Sequence, residues 1–195
     1  MKTVTFDSSL IIDSPIGPIA LKSLGNAVVK VDLLGWAPAP APGSTPANAS
    51  SPGSADAGSA APSKVLLDAA AQLRDFFAGK RKNLDFAVSF EGTEFQRAVW
   101  NEIAKVGFGD AITYAEIARR IGNPAAVRAV GGAVGSNPVP LVIGCHRILG
   151  SGDRITGYSG GDGLPTKRWL LAHESITYRD VPDVRREAET PLKIE

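Results

Sequence analysis

Residues 113–147 read TYAEIARRIGNPAAVRAVGGAVGSNPVPLVIGCHR, and the reading of this stretch decides the fold class. Thr113 followed three residues later by Glu116 is a capping box, in which cap hydroxyl and acidic side chain satisfy each other's free amides. It opens the helix TYAEIARRI, and Gly122 stops it. Asn123 before Pro124 is an N-cap with proline at the first helical position, starting AAVRAVGGAV. Two short helices joined by a tight Gly-Asn-Pro turn predict a helix-turn-helix. The second is nearly all Ala, Gly and Val around Arg128, so its backbone can approach another surface closely. That surface is either DNA or another helix. The apolar run VPLVIG then reads as a strand that delivers Cys145, His146 and Arg147 at its end.

Upstream, Thr93-Glu94-Phe95-Gln96 is another capping box, opening a helix through Val106 with Phe95, Val99, Ile103 and Val106 on one face. Residues 1–36 alternate in short apolar runs (TVTF, LIID, PIALKSLG, AVVKVDLLGW) broken by Pro15, Gly17 and Gly25, the pattern of an antiparallel meander. Residues 37–62 are almost all Ala, Pro, Ser and Gly, which predicts a mobile loop with nothing large to bury. Ser63 caps a helix whose stripe is Leu66, Leu67, Ala70, Leu73, Phe76 and Phe77, ended by Gly79. FAVSF at 86–90 reads as one more strand. Downstream, TKRWLLAHE is a helix that closes on His173 and Glu174. The fold class expected is α+β, with an antiparallel-sheet domain carrying a helix over residues 1–91 and a mainly helical domain over 92–175. Residues 176–195 form a tail with no function assigned.

Composition narrows the function. The 195 residues are 44% hydrophobic and 21% charged, an ordinary globular balance that excludes wholesale disorder. No apolar run approaches the ~18 residues of a membrane helix. Asp7 and Asp13 interrupt any apolar signal core, and a single cysteine forms no internal disulfide, so a cytoplasmic location is expected. Two histidines and one cysteine leave too few soft ligands for structural zinc. The net charge of +1 falls short of many nucleic-acid binders. Residues 113–168 nevertheless hold seven basic side chains against three acidic ones, ahead of an acidic C-terminus, which permits DNA binding without demanding it.

Cys145 admits two readings: a small buried hydrophobe, or a nucleophile beside a base. A core strand rarely continues into His-Arg unless it has reached a site or the surface. If the segment is extended, neighbouring side chains point to opposite faces, so His146 would reach Cys145 through a water. A histidine base needs an orienting carboxylate, and Glu174 is the best remote candidate.

The motifs FQRAVW, the 113–147 stretch, GYSGG and KRWLLAHE, in this order and spacing, resemble the O6-alkylguanine-DNA alkyltransferases, also called methylated-DNA–protein-cysteine methyltransferases. The likeness is dense over residues 92–175 and loose before them. It implies a ribonuclease-H-like roll in the N-terminal domain. It also implies DNA repair by a single, irreversible transfer of a methyl or larger alkyl group from O6-alkylguanine, with O4-alkylthymine as a further substrate, after the nucleotide is flipped from the duplex. Cys145 matches the alkyl acceptor, His146 its water-linked base, Glu174 the carboxylate that orients the histidine, and Asn137 the brace of the active-site turn. Tyr114 matches the residue that rotates the nucleotide and protonates the leaving guanine; Tyr158 and Ser159 match the pocket loop. Arg128 matches the finger that fills the emptied stack, while Gln96, Asn123 and Ser151 match contacts to the DNA backbone. The resemblance implies no cofactor and no metal, minor-groove binding to double-stranded DNA, and cooperative self-association on it. Gly144 departs from the family's proline, the zinc ligands of some relatives are absent, and the Ala/Pro segment is long for a compact relative. A lesion-binding or regulatory protein without transfer activity is the alternative, although relatives of that kind replace the cysteine. A thiol-dependent hydrolase, the third reading, leaves the tyrosine and arginine unexplained.

Overall fold

The computed structural model describes residues 5–36 and 61–180. Strands β1 (Ser8–Ile12), β2 (Ile19–Leu24) and β3 (Ala27–Leu33) form an antiparallel sheet in the order β1-β2-β3. In β2 the alternation is strict: Ile19, Leu21 and Ser23 point inward while Ala20 and Lys22 do not. Gly25 supplies the positive φ, +58°, that the two-residue link to β3 requires. Of the first apolar run, Thr5 and Phe6 are described and lie outside β1. FAVSF is a correction: it makes a single parallel bridge, Val88 to Val28, rather than a strand. The bulk of the predicted Ala/Pro loop, 37–60, and of the tail, 181–195, lies outside the described residues.

Helix α1 (Lys64–Phe77) covers the sheet with Leu66, Ala69, Ala70, Leu73 and Phe76. Leu66, Leu73 and Phe76, fully buried, contribute ~1.5–3 kcal/mol each, so this face holds the helix in place. Leu67, expected in the stripe, is 54% exposed because it falls on the solvent side. Ser63 occupies the N-cap position, but its hydroxyl bonds the hydroxyl of Ser23 at 2.8 Å instead of a helix amide. It ties helix to sheet rather than capping. Gly79 ends the turn at φ +72°, as expected.

Helix α2 (Glu94–Ala104) begins with the complete capping box of Thr93 and Gln96. It stops before Val106, which is buried beyond its end. Strand β4 (Ile112–Thr113) pairs in parallel with β5 (Ile148–Leu149), and α3 (Tyr114–Arg120) follows directly. Only half of the second box forms: the Thr113 hydroxyl accepts from the Glu116 amide at 3.1 Å, while the Glu116 carboxylate is held by Arg119 and Arg120. Gly122 ends α3 at φ +75°. Asn123 opens a 3-10 turn, Pro124–Ala126, with no side-chain cap bond, and α4 (Val127–Gly135) starts only after it.

Helix α4 packs Val130, Ala133 and Val134 inward, and the indole of Trp100 in α2 donates to the Ala133 carbonyl at 2.8 Å. At Gly131, Gly132 and Gly135 a Cβ atom would meet nothing within 4 Å. Helix α5 (Leu164–His173) closes the core, and Ile176 and Tyr178, within the predicted tail, pack against Leu149, Ile155 and Leu171. One hydrophobic cluster runs through both halves. The seam between them holds the edge-to-face pair Phe76–Phe108 and the Trp169–His173 stack, with His173 Nε2 2.8 Å from the Phe76 carbonyl. No helix among the described residues is long and apolar enough to cross a membrane.

Candidate active site

Asn137 organises the loop that carries Cys145. Its amide nitrogen donates to the Ile143 carbonyl at 2.8 Å, and its amide oxygen accepts from the Val139 amide at 3.0 Å. The chain doubles back through Leu141, at φ +75°, and its one ladder contact is the bridge of Pro140 with Ile143. Cys145–Arg147 is therefore a 3-10 turn, not the end of a strand. This corrects the extended reading, and with it the opposite-face argument for Cys145 and His146. Gly144 has φ −69°, a value proline would also take. Its missing Cβ leaves room for Arg147, whose Cδ, Nη1 and Cζ would lie 2.9–3.0 Å from such an atom.

Behind the turn is a buried polar cluster. His146 Nε2 lies 2.9 Å from Glu174 Oε1. Arg147 bonds the same carboxylate through both Nε (2.8 Å) and Nη2 (2.9 Å), and its Nη1 donates to the Val106 carbonyl at 2.7 Å. The Gly109 amide adds a fourth donor at 3.3 Å. Burial alone would raise the Glu174 carboxyl, but the bonds from His146 and Arg147 outweigh it and hold the group down at about 2. Burial lowers the pKa of His146, so its ring is neutral at neutral pH. An ionised Glu174 accepts the proton of Nε2, which leaves the lone pair on Nδ1, and that atom is buried without a hydrogen-bond partner among the described residues.

Cys145 is 6% exposed at the wall of a cavity of about 230 Å³, which Tyr114, Tyr158 and Ser159 also line, with Gly131, Val134 and Gly135 of α4. Its sulfur is 3.9 Å from the Tyr158 hydroxyl. Burial raises the thiol pKa, opposed by hydrogen bonds from Asn137 and Tyr158 and by the charge of Lys167. Burial also raises both phenols, so each stays a donor; Thr156 bonds the Tyr114 hydroxyl at 3.3 Å. A second cavity, about 220 Å³, reaches Cys145 from the side of β3. Strand β3 braces both walls: the Val31 amide bonds the Pro138 carbonyl at 2.9 Å, and the Gly161 amide bonds the Leu33 carbonyl at 3.0 Å.

The structure thus brings Cys145, Tyr114, Tyr158 and Ser159 to one cavity, with Asn137, His146 and Glu174 behind it. It leaves the other four expected residues outside that cavity. Arg128 and Asn123 are exposed around α4, and Ser151 is exposed in the turn Ser151–Asp153. Gln96 completes the α2 capping box and bonds Ser136 at 3.0 Å. Sequence reasoning assigned nothing to Arg147 or to the fully buried Lys167. A signal for the latter exists: Lys167, Leu170, Leu171 and Glu174 recur at the spacing of one buried helix face.

A family model described as "6-O-methylguanine DNA methyltransferase, DNA binding domain" matches residues 94–176. The methylated-DNA–protein-cysteine methyltransferase of Methanosarcina acetivorans is 37% identical over 165 residues, 84% of this chain and 96% of the relative. The crystal structure of Mycobacterium tuberculosis O6-methylguanine methyltransferase aligns with a TM-score of 0.69 at 32% identity, covering 92% of this chain and 98% of that one. The Mycobacterium tuberculosis OGT in complex with DNA aligns with a TM-score of 0.64 at 34% identity, over 84% and 90% of the two chains. With a relative of this identity covered almost end to end, and its cysteine at the wall of a cavity, the chain belongs to the O6-methylguanine-DNA methyltransferase family.

Proposed function

We propose that this protein repairs DNA by transferring an alkyl group from the O6 atom of guanine to Cys145, once per molecule. The observation that carries this reading is a thiol at a cavity wall, next in sequence to a histidine whose tautomer is fixed by a buried carboxylate. Cys145 passes its proton by way of a water to Nδ1 of His146, and Glu174 steadies the charge that results. The thiolate attacks the alkyl carbon; a C–S bond forms, the C–O bond breaks, and the electron pair moves into the guanine. Tyr114, kept protonated by burial, donates a proton to the departing ring, while Tyr158 and Ser159 hold the base. The thioether product is stable, so nothing regenerates the thiol.

The lesion carbon cannot be reached inside a stacked duplex, so the nucleotide is flipped at a cost of ~ a few kcal/mol. Exposed Arg128 fills the gap, and the side-chain-free glycines of α4 let the helix enter the minor groove. In this reading α3, the Pro124–Ala126 turn and α4 act as a helix-turn-helix, with Gln96, Asn123 and Ser151 on the DNA backbone. Of the described residues, those up to 91 belong to the ribonuclease-H-like roll and those from 92 to the reacting domain, which Ile176 and Tyr178 join. The setting is the cytoplasm, molecules cluster cooperatively on DNA, and O4-alkylthymine is a secondary substrate.

Intact-protein mass spectrometry after incubation with a duplex containing one O6-methylguanine tests the reading. The expected result is one methyl gained, mapping to Cys145 and saturating at one equivalent, with no gain in Cys145→Ser. Tight binding to the damaged duplex without any mass change would replace transfer by recognition.

A further inference from the structure

Lys167 is a buried charge that the mechanism above does not use and that, unlike Arg147, meets no carboxylate among the described residues. Its side chain lies on the inner face of α5 at 0% exposure, and Nζ donates to the Ile148 carbonyl at 2.6 Å. That is its single hydrogen bond among the described residues, and no carboxylate pairs with it there. A buried ammonium without a counter-charge is costly, so its place in the core asks for a compensating anion.

The candidates for that anion are few. Helix α5 packs against the Cys145–Arg147 turn, and Lys167 Nζ bonds the carbonyl of Ile148, the residue that follows the turn; the ionisable groups held there are Cys145, His146, Arg147 and Glu174, with Tyr114 and Tyr158 at the cavity beside Cys145. Glu174 already meets Arg147 through two bonds and His146 through a third. Both phenols stay neutral. His146 and Arg147 carry no negative charge. Cys145 is what remains, and it and Lys167 each sense the other's charge.

We propose that Lys167 is the counter-charge of the Cys145 thiolate: an ammonium moored on the Ile148 carbonyl whose positive charge is offset by the sulfur when that sulfur is ionised. It acts through Cys145 and does not touch the alkyl group or the guanine, so it is a positioning residue. The proposal rests on the reading of Cys145 as nucleophile, and it adds a second device to that reading. His146 removes the proton, and Lys167 makes the anion left behind tolerable in a cavity whose burial opposes it. Burial lowers the pKa of Lys167 itself to about 8, and a thiolate at Cys145 acts in the opposite sense, so an ionised sulfur favours the charged lysine.

The chain contains one cysteine, so ultraviolet thiolate absorbance reports Cys145 alone. We would titrate the parent, Lys167→Met and Lys167→Arg, and measure iodoacetamide alkylation of each at neutral pH. Lys167→Met is expected to move the thiol midpoint up by about one pH unit and to slow alkylation about tenfold, while Lys167→Arg stays near the parent. An unshifted midpoint in folded Lys167→Met overturns the proposal. Should that variant not fold, Lys167→Gln keeps a donor for the Ile148 carbonyl without the charge, and the same shift is expected. Neither readout needs DNA or a lesion. A protein that failed to transfer methyl would still report on Lys167, and methyl transfer beside an unshifted midpoint would sink the counter-charge alone.

Discussion

Among the described residues, the sheet half of the molecule, up to residue 91, buries aliphatic and aromatic side chains with Ser8, Ser23 and Gln72 as its buried polar residues, whereas the half from residue 92 onward also buries His146, Arg147, Lys167 and Glu174. A neutral polar group inside a protein needs only a partner or two: Gln72, for example, accepts the Asp85 amide at 2.9 Å. Charges need a network held from several elements at once. Glu174 receives donors from the 145–147 turn and from Gly109, and Arg147 reaches across to Val106. Ionisable groups are buried where the chemistry is, and the sheet half supplies ordinary apolar stability and a brace.

The sharpest way to break this contrast is a pair of truncations. Glu174→Ala removes one partner from a buried ion pair and is expected to cost ~3–5 kcal/mol of stability. Leu21→Ala, at a fully buried position of β2, is expected to cost ~2–5 kcal/mol by cavity formation. Urea unfolding would therefore rank the two alike. Transfer by the folded fraction would not: Glu174→Ala loses it, and Leu21→Ala keeps it. Equal loss in both would mean that the site has no independence from the sheet half.

Acid should find the charged half first. Folded Glu174 stays ionised down to about 2, while in the unfolded chain it takes up a proton near its ordinary 4.5. Its contribution is thus complete above pH 4.5 and lost as pH falls toward 2. His146 adds to the same trend from higher pH. Its folded pKa is lowered from 6.5, so below that value the unfolded chain binds the proton more readily and stability declines. Thermal unfolding midpoints measured on descending pH should fall from about 6.5 downward, and Glu174→Gln should flatten the lower part of the curve. A profile identical in the variant would show that the carboxylate is not the titrating group.

The smallest expected effect has the opposite sign. Gly132→Ala fills open space on α4 and should stabilise the fold by ~1 kcal/mol through helix propensity. Affinity for duplex DNA should fall at the same time, as read by fluorescence anisotropy. Unchanged affinity would remove the glycines from the proposed DNA contact.

Legibility in the sequence followed the range of the forces involved. Local devices were readable: the Thr93 box, the stop at Gly79 and the stop at Gly122 each depend on residues within one turn. The Cys145 loop was not, because alternation assumed an extended chain, while the Asn137 bonds to Ile143 and Val139 fold it back. FAVSF has strand periodicity, but beyond the Val88 bridge nothing among the described residues pairs with it. Arg147 and Lys167 escaped because long basic side chains are ordinarily solvated, and their burial here is decided by contacts 19 to 41 residues away. The family motifs made the roles of Cys145, His146 and Glu174 expected; the geometry that supports those roles came only with the fold.

Strand β3 hydrogen-bonds the Pro138 carbonyl on one side and, through Leu33, the 158–162 loop on the other; past the end of the strand the Trp36 amide bonds Asp162. One stiff rod therefore gauges the separation of two walls that are distant in sequence, much as a jig sets the gap between parts that never touch. Widening that gap means breaking the Val31 and Gly161 bonds, so amide exchange at Val31 and Gly161 is expected to be as slow as exchange in the core, and fast exchange there would show that β3 does not set the gap.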